Sequence, residues 1–286
     1  MVRYASTLAL ALAAAAAPLL GQSSPPDTSG ATKSTPTPAA TRPDSAPPSA
    51  DSLAAISRRG RTIAEADHIV WLASGAIASS YLPTDSIRRL IAQRTDSGWE
   101  VADGTLSDDR SRYMISRLAT PGIQPDVWAS SLFDPALPDT GYFARAARAI
   151  ESSLTMFLPV GERPYIATVL PADDSLSWHV YLYPAPTVEG TWPRGGDMRF
   201  RVSADGRIVT EARRLHETIA EYSVRTARSA TTKAGDGQPA VSGNAPEDTD
   251  VFHVIQRRPA LPELMTVGRF QYQIDVDGGI RLLNVR

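Results

Sequence analysis

The sequence predicts an α+β fold in which N-terminal helices pack on one face of a curved antiparallel β-sheet. Three observations predict it. Helical patterns dominate the start of the folded region, and short alternating strands follow. Consecutive strands are separated by short turns rather than by crossover helices, which favours antiparallel pairing. A hydrophobic content of 42% is enough to build a core.

The N-terminus has the pattern of a secretory signal. Met1-Val2-Arg3 carries a positive charge, and Leu8–Leu20 is an unbroken apolar run. A membrane span needs about 20 apolar residues, and this run is shorter. We therefore predict a signal peptide over residues 1–23 and a periplasmic or secreted protein, with an uncleaved membrane tether as the alternative.

A disordered spacer is predicted after the signal. Residues 24–50 are rich in Pro, Ser, Thr and Ala and contain no large apolar residue, so they cannot bury enough surface to offset the entropy of ordering. Residues 51–286 are predicted to form a single α+β domain. Within it, the low-complexity stretch at about 226–250 predicts a disordered internal loop. A linker between two domains is the alternative, but the segment that follows is too short for an independent domain.

Apolar spacing predicts three helices. Apolar residues recur every seven positions from Ile56 onward and predict a helix from Asp51 to Leu82, which Pro83 ends. A second, short helix is predicted over Thr84–Arg94. A third is predicted over Thr140–Phe157, where apolar residues form a stripe.

Alternating apolar and polar residues predict the strands. The predicted strands are Trp99–Leu106, Tyr113–Leu118, Tyr165–Leu170, His179–Tyr183, Met198–Val202, Arg207–Glu211, Val251–Ile255, Leu264–Val267, Gln271–Val276 and Ile280–Val285. Ala204-Asp205-Gly206 and Asp277-Gly278-Gly279 supply two of the turns.

Composition excludes several classes of chemistry. The absence of cysteine excludes disulfides, thiolate nucleophiles, cysteine-ligated zinc, iron–sulfur clusters and a lipobox anchor. A net charge of −2 gives no electrostatic footprint for nucleic acid. Neither a Walker loop nor G-x-G-x-x-G nor G-x-S-x-G occurs, so we predict no nucleotide cofactor and no common hydrolase elbow.

His216 and His253 are the first pair of candidate site residues. The segment from Arg214 to Glu221 begins like a zincin motif, but Ala220 stands where the second histidine ligand is required. His253 lies in a predicted strand, where a single histidine is more often a surface residue, or one whose hydrogen bonds are satisfied within the protein, than a ligand. The two histidines could meet across the sheet and bind a metal with Glu217 or Asp250, although the spacing does not require it.

Glu65 and His68 are the second pair. They lie one turn apart on the first helix, which places them on one side as a possible acid/base pair. A solvated helix face explains the same pattern.

Trp192 and Arg194 are the third pair. They belong to the loop Trp192-Pro193-Arg194-Gly195-Gly196-Asp197, where the two glycines permit positive φ. The indole and the guanidinium could stack on or clamp an anionic or sugar ligand. A plain hairpin connection before Met198 is the favoured interpretation of this loop.

The order of several segments resembles an uncharacterised family of exported bacterial α+β proteins. The segments are Arg59-Gly60-Arg61 with the helix through Trp71, Tyr165–Pro171, Val180–Ala185, Gly195–Phe200, and His253-Val254 through Ile280. The resemblance implies one continuous α+β domain and implies no activity. In that family a histidine and an aspartate follow the tryptophan, whereas this chain has Leu72 and Gly75 there.

The sequence therefore favours an exported binding or accessory protein without recognisable catalytic machinery. Its partner would be an envelope protein or a small molecule. Two alternatives stay open. One is a hydrolase of unfamiliar type that uses His68 or His253 with nearby carboxylates. The other is a metal-binding protein built on His216 and His253.

Overall fold

A computed structural model describes residues 46–78, 89–124, 126–223 and 243–285. The predicted signal peptide, nearly all of the spacer and the greater part of the predicted internal loop lie outside these ranges. No helix within them is both long enough and apolar enough to cross a membrane.

The described chain is mixed α+β, with three helices and thirteen strands. The helices are α1 Ala50–Ala78, α2 Tyr142–Leu154 and α3 Asp248–Gln256. The strands are β1 Arg89–Thr95, β2 Gly98–Leu106, β3 Tyr113–Pro121, β4 Trp128–Asp139, β5 Tyr165–Pro171, β6 Ser177–Pro184, β7 Thr191–Gly195, β8 Met198–Ser203, β9 Val209–Arg214, β10 Ile219–Ser223, β11 Glu263–Val267, β12 Phe270–Ile274 and β13 Ile280–Val285.

The strands form antiparallel sheets, as the short connections predict. Two sheets have four strands, in the orders β1-β2-β3-β4 and β5-β6-β8-β9. A third sheet contains β11-β12-β13, and β7 pairs with β10. All the observed pairings are antiparallel.

Helix α2 lies in the largest apolar cluster. Its buried residues, including Phe143 and Ile150, share that cluster with Ile115 of the first four-stranded sheet and Val180 and Phe200 of the second. The apolar stripe predicted for this helix is thus the face that joins the two sheets. Removing a residue of this size from water stabilises a protein by about 1.5–3 kcal/mol.

Helix α1 contributes to three separate apolar clusters along its length. Leu53 joins the cluster of β11–β13, Ile63 joins one that contains Tyr181 and Tyr183, and Ile77 joins one with residues of β1–β3. A close approach of α1 to α3 occurs at Gly60, where a Cβ atom would lie 2.5 Å from the carbonyl oxygen of Asp248. Glycine permits this contact because it has no side chain.

Two predicted elements are wrong. Residues 89–94 of the predicted second helix belong to strand β1, which pairs along its full length with β2 and buries Ile91 and Ala92. Tertiary pairing here overrides the helical propensity of an Ala- and Arg-containing segment. The predicted strand Val251–Ile255 lies in helix α3.

The end of the predicted disordered loop is also corrected. Residues 243–250 are described, and Glu247, Asp248 and Asp250 among them are buried. Their polar composition resembles that of a loop, but the acidic side chains have partners inside the protein.

Candidate functional site

The N-terminus of α3 places three acidic side chains inside the protein. A reciprocal capping box starts the helix: the Glu247 side chain accepts a hydrogen bond from the Asp250 backbone, and Asp250 Oδ2 accepts one from the Glu247 N–H at 2.8 Å. Asp248 and Asp250 are each 0% exposed. Buried carboxylates require charged or hydrogen-bonding partners, and each has its own.

Asp250 lies in a buried cluster with His216 and Asp197. His216 Nδ1 is 2.6 Å from Asp197 Oδ1, and its Nε2 is 3.1 Å from Asp250 Oδ1. Burial by itself lowers the pKa of His216, but the carboxylates of Asp250 and Asp197 outweigh it and raise that pKa to about 10. His216 is therefore an imidazolium held between two carboxylates.

Arg194 extends this cluster from strand β7. Its Nη2 donates to Asp250 Oδ1 at 2.6 Å, and its Nη1 donates to Glu263, which also pairs with Arg257. Burial by itself raises the pKa of Asp250, but Arg194 and then His216 outweigh it and lower that pKa well below its usual range. The guanidinium of Arg194 is thus engaged by two carboxylates of the protein itself.

His253 is buried beside the same cluster. Its ring lies edge-on to Tyr222 at 5.8 Å between centroids, and Tyr222 in turn contacts Trp192 at 6.3 Å. Burial, with a further contribution from Arg194, lowers the pKa of His253 to about 3, so the imidazole is neutral. It is only 3% exposed.

The structure thus brings four of the six predicted site residues to one place. Trp192 and Arg194 lie on β7, Tyr222 on β10 faces Trp192, and His216 and His253 approach from two sides. The loop predicted at Trp192–Asp197 is strand β7 through Gly195, followed by the connection to β8. The adjoining cavity, between Arg194 and His253, has a volume of about 20 Å³, which is room for about one water molecule.

Glu65 and His68 do not form the predicted acid/base pair through a hydrogen bond within the described ranges. Glu65 Oε1 accepts from Trp99 Nε1 at 2.9 Å, and its other oxygen lies 3.4 Å from Arg94 Nη1. His68 is exposed and stacks on Trp71 at 6.0 Å. Both side chains lie on a solvated face of α1.

A second charged cluster forms around Asp248 and was not predicted. Asp248 Oδ2 accepts hydrogen bonds from Arg59 Nε at 3.0 Å, Arg199 Nη1 at 2.9 Å and the Tyr181 hydroxyl at 2.8 Å. Arg59 Nη2 donates to Oδ1 at 2.9 Å. Burial by itself raises the pKa of Asp248, but Arg59 and Arg199 outweigh it and lower that pKa.

An open cleft adjoins this cluster and shares Arg59 and Tyr181 with it. We name it the α1 cleft. It has a volume of about 140 Å³, and its polar lining consists of Arg58, Arg59, Thr62, Asp173, His179 and Tyr181. Helix α1 forms one wall, and strands β5 and β6 with their turn form the other. The cleft combines cationic side chains, an imidazole and a solvent-accessible opening.

His179 has an unusual environment in the α1 cleft. Its pKa is lowered to about 4, mainly by burial, and Arg199 and Arg59 contribute to the lowering while Asp248 opposes it. The imidazole is therefore neutral near pH 7. Its Nδ1 is buried and has no hydrogen-bond partner in the part of the chain that the structure describes.

Sequence reasoning missed the α1 cleft because its residues come from distant segments. The adjacent Arg58 and Arg59 on a helix were the one local signal.

No group of three or more His, Asp or Glu side chains in the described ranges is arranged to hold a metal ion. No family model, curated protein or solved structure matches the chain.

Proposed function

We propose that this chain is an exported binding or accessory protein whose ligand binds in the α1 cleft. One observation carries the proposal: His216 and Arg194, the charged groups of the sequence-predicted site, are paired with carboxylates inside the protein, whereas the α1 cleft opens to solvent. His216 is flanked by Asp197 and Asp250 at 2.6 and 3.1 Å, and Arg194 is engaged by Asp250 and Glu263. These groups stabilise the fold around α3 rather than face a substrate.

The sizes of the two concavities support the same proposal. The cavity beside Arg194 and His253 holds about 20 Å³, whereas the α1 cleft holds about 140 Å³ and opens to solvent. The cleft thus has room for a small ligand group. Ligand sites are typically concave and combine apolar walls with a few placed polar groups, as Leu170 and Pro171 do here beside Arg58 and Arg59.

Export, the resemblance to an exported bacterial family, and the packing of N-terminal helices on a curved sheet remain predictions from the sequence. Export depends on residues 1–23, outside the described ranges. The proposal does not depend on the family, because the cleft is built from residues of α1, β5 and β6.

A thermal-shift screen of the full chain tests the proposed function. The panel contains inorganic phosphate, sulfate, succinate, neutral sugars and cell-wall fragments. A ligand at 100 times its Kd stabilises by about 2.7 kcal/mol, which for a domain of this size raises the Tm by about 5–10 °C.

The same preparation is assayed with ester, glycoside and peptide substrates. We expect at least one panel compound to raise the Tm and no substrate to be turned over. Turnover that a His253→Ala or His68→Ala variant abolishes, at unchanged Tm, would support the hydrolase alternative and contradict the proposal. A screen in which no compound raises the Tm would also contradict it.

A further inference from the structure

The α1 cleft has arginine side chains at two depths. Arg59 lies deeper, where it shares the buried Asp248 with Arg199, which lies behind the lining. Arg58 lies at the opening, with 60% of its side chain exposed. Because Asp248 already accepts four hydrogen bonds from Arg59, Arg199 and Tyr181, it does not neutralise Arg58.

The carboxylate that faces Arg58 is Asp173, and its contacts are long. Asp173 Oδ2 lies 3.3 Å from Arg58 Nη2 and 3.4 Å from Arg59 Nη1. The Asp173 side chain is 52% exposed. Exposed ion pairs of this kind contribute little, about 0–1 kcal/mol, so the pair can be broken at small cost.

Asp173 is also dispensable for the β5–β6 turn in which it lies. The neighbouring Asp174 holds that turn: its Oδ1 accepts from the Leu176 N–H at 3.1 Å and from the Ser177 hydroxyl at 3.0 Å. Asp174 also pairs with Arg201 on β8. The turn therefore supplies one carboxylate for its own structure and a second one that points at the arginines of the cleft.

We propose that the α1 cleft binds the oxyanion group of a small molecule, a carboxylate or a phosphate, between Arg58 and Arg59, and that this group displaces Asp173. The inference rests on the proposed binding function and names the ligand class for that site. Arg58 Nη2 and Arg59 Nη1 converge on Asp173 and provide the paired donors that a carboxylate or a phosphate requires, while the other Arg59 nitrogens stay on Asp248. A volume of about 140 Å³ favours a small molecule over a macromolecular segment.

The surroundings of His179 support the oxyanion class. Burial lowers its pKa most, and Arg199, Arg59 and Arg201 each lower it further, whereas Asp248 raises it. The imidazole therefore reports a cationic field inside the cleft. An anion bound there would offset part of this cationic field. The field also speeds the initial encounter with anionic ligands.

Isothermal titration calorimetry of the full chain at low salt tests the proposal, with phosphate, sulfate and succinate as probes. We expect Arg58→Gln to weaken binding at least fivefold. The matched control is Arg61→Gln, which removes the same charge from the same helix. Arg61 pairs with Asp277 instead of facing the cleft, so its loss changes affinity less than twofold.

The Asp173→Asn variant gives the sharper result, because a competing carboxylate is removed. We expect it to bind the probes at least threefold more tightly, with an unchanged Tm. Asp96→Asn, in the exposed β1–β2 turn, is the control for net charge and leaves the affinity unchanged. A residue with only a structural role would not tighten binding when it is replaced.

The outcomes separate this inference from the proposed function. If none of the three anions binds while a neutral compound raises the Tm, the oxyanion class is wrong and the binding function stands. If an anion binds but Arg58→Gln and Arg61→Gln weaken it equally, the site is wrong. Substrate turnover would instead contradict the proposed function itself.

Discussion

The imidazolium of His216 predicts a loss of stability at alkaline pH. The pKa of this histidine is about 10 in the folded protein against 6.5 as its ordinary value. A group whose pKa is raised by folding stabilises the protein fully below its unfolded pKa, and the stabilisation is lost as the pH rises through the folded pKa. Between pH 7 and 9.5 the folded state retains one more proton than the unfolded state. The free energy of unfolding therefore falls by up to about 1.4 kcal/mol per pH unit, or about 3 kcal/mol in all.

The Asp197→Asn variant tests this reasoning. It removes one of the two carboxylates that face His216, the one 2.6 Å from Nδ1, and keeps the side-chain shape. Loss of such a partner lowers a pKa by about 1–3 units. We therefore expect the fall between pH 7 and 9.5 to shrink by about 0.7–3 kcal/mol.

Urea unfolding at pH 7 and pH 9.5 measures both proteins. Glu247 titrates in the same window, because burial raises its pKa to about 8. The difference between the two proteins, rather than either slope, therefore isolates His216. If wild type and Asp197→Asn lose the same free energy within about 0.5 kcal/mol, His216 is not the imidazolium described above.

Three further predictions concern helix α1 and the polar groups around it. Gly60→Ala should destabilise the protein by about 2–3 kcal/mol in urea unfolding, because the new Cβ would overlap helix α3. The Cβ of Gly75→Ala on the same helix would meet no atom of the described ranges within 4 Å apart from its own helix backbone, so the change should stabilise by about 0.5–1 kcal/mol. Equal effects of the two changes would contradict the close packing of α1 and α3. Tyr183→Phe should cost about 1–3 kcal/mol, since the hydroxyl donates to Asp67 Oδ1 at 2.7 Å, and a cost near zero would refute that bond. His68→Ala should change the free energy of unfolding by less than about 0.5 kcal/mol and leave ligand binding unchanged. A loss of binding would show that Glu65 and His68 belong to the ligand site.

The antiparallel strands with a clear period of two were predictable, and so was helix α2. Strand β4 was not, because Pro135 and Pro138 within Trp128–Asp139 argue against a central strand. In the structure β4 lies at the edge of its sheet, where prolines are tolerated. Whether a proline-containing segment can form a strand therefore depends on its position in the sheet, which the local sequence does not specify.

Helix α3 shows why the candidate site was only partly predictable. Val251–Ile255 is rich in β-branched residues and suggests a strand, but the reciprocal bonds between Glu247 and Asp250 start a helix there. The three acidic residues that precede the segment resemble part of a polar loop. Only their buried partners, His216, Arg194 and Arg59, reveal that they belong to the core.

Nuclear magnetic resonance of the His179 ring in full-length protein tests the central claim most directly. Sulfate is the anion, because it stays doubly charged over the whole titration. Without sulfate, the ring should be neutral near pH 7, with a pKa of about 4. Sulfate at a concentration near the wild-type Kd should raise that pKa in wild type and in Arg61→Gln, and clearly less in Arg58→Gln. A His179 pKa that sulfate leaves unchanged in wild type, or raises equally in Arg58→Gln, would contradict the claim that the α1 cleft binds an oxyanion.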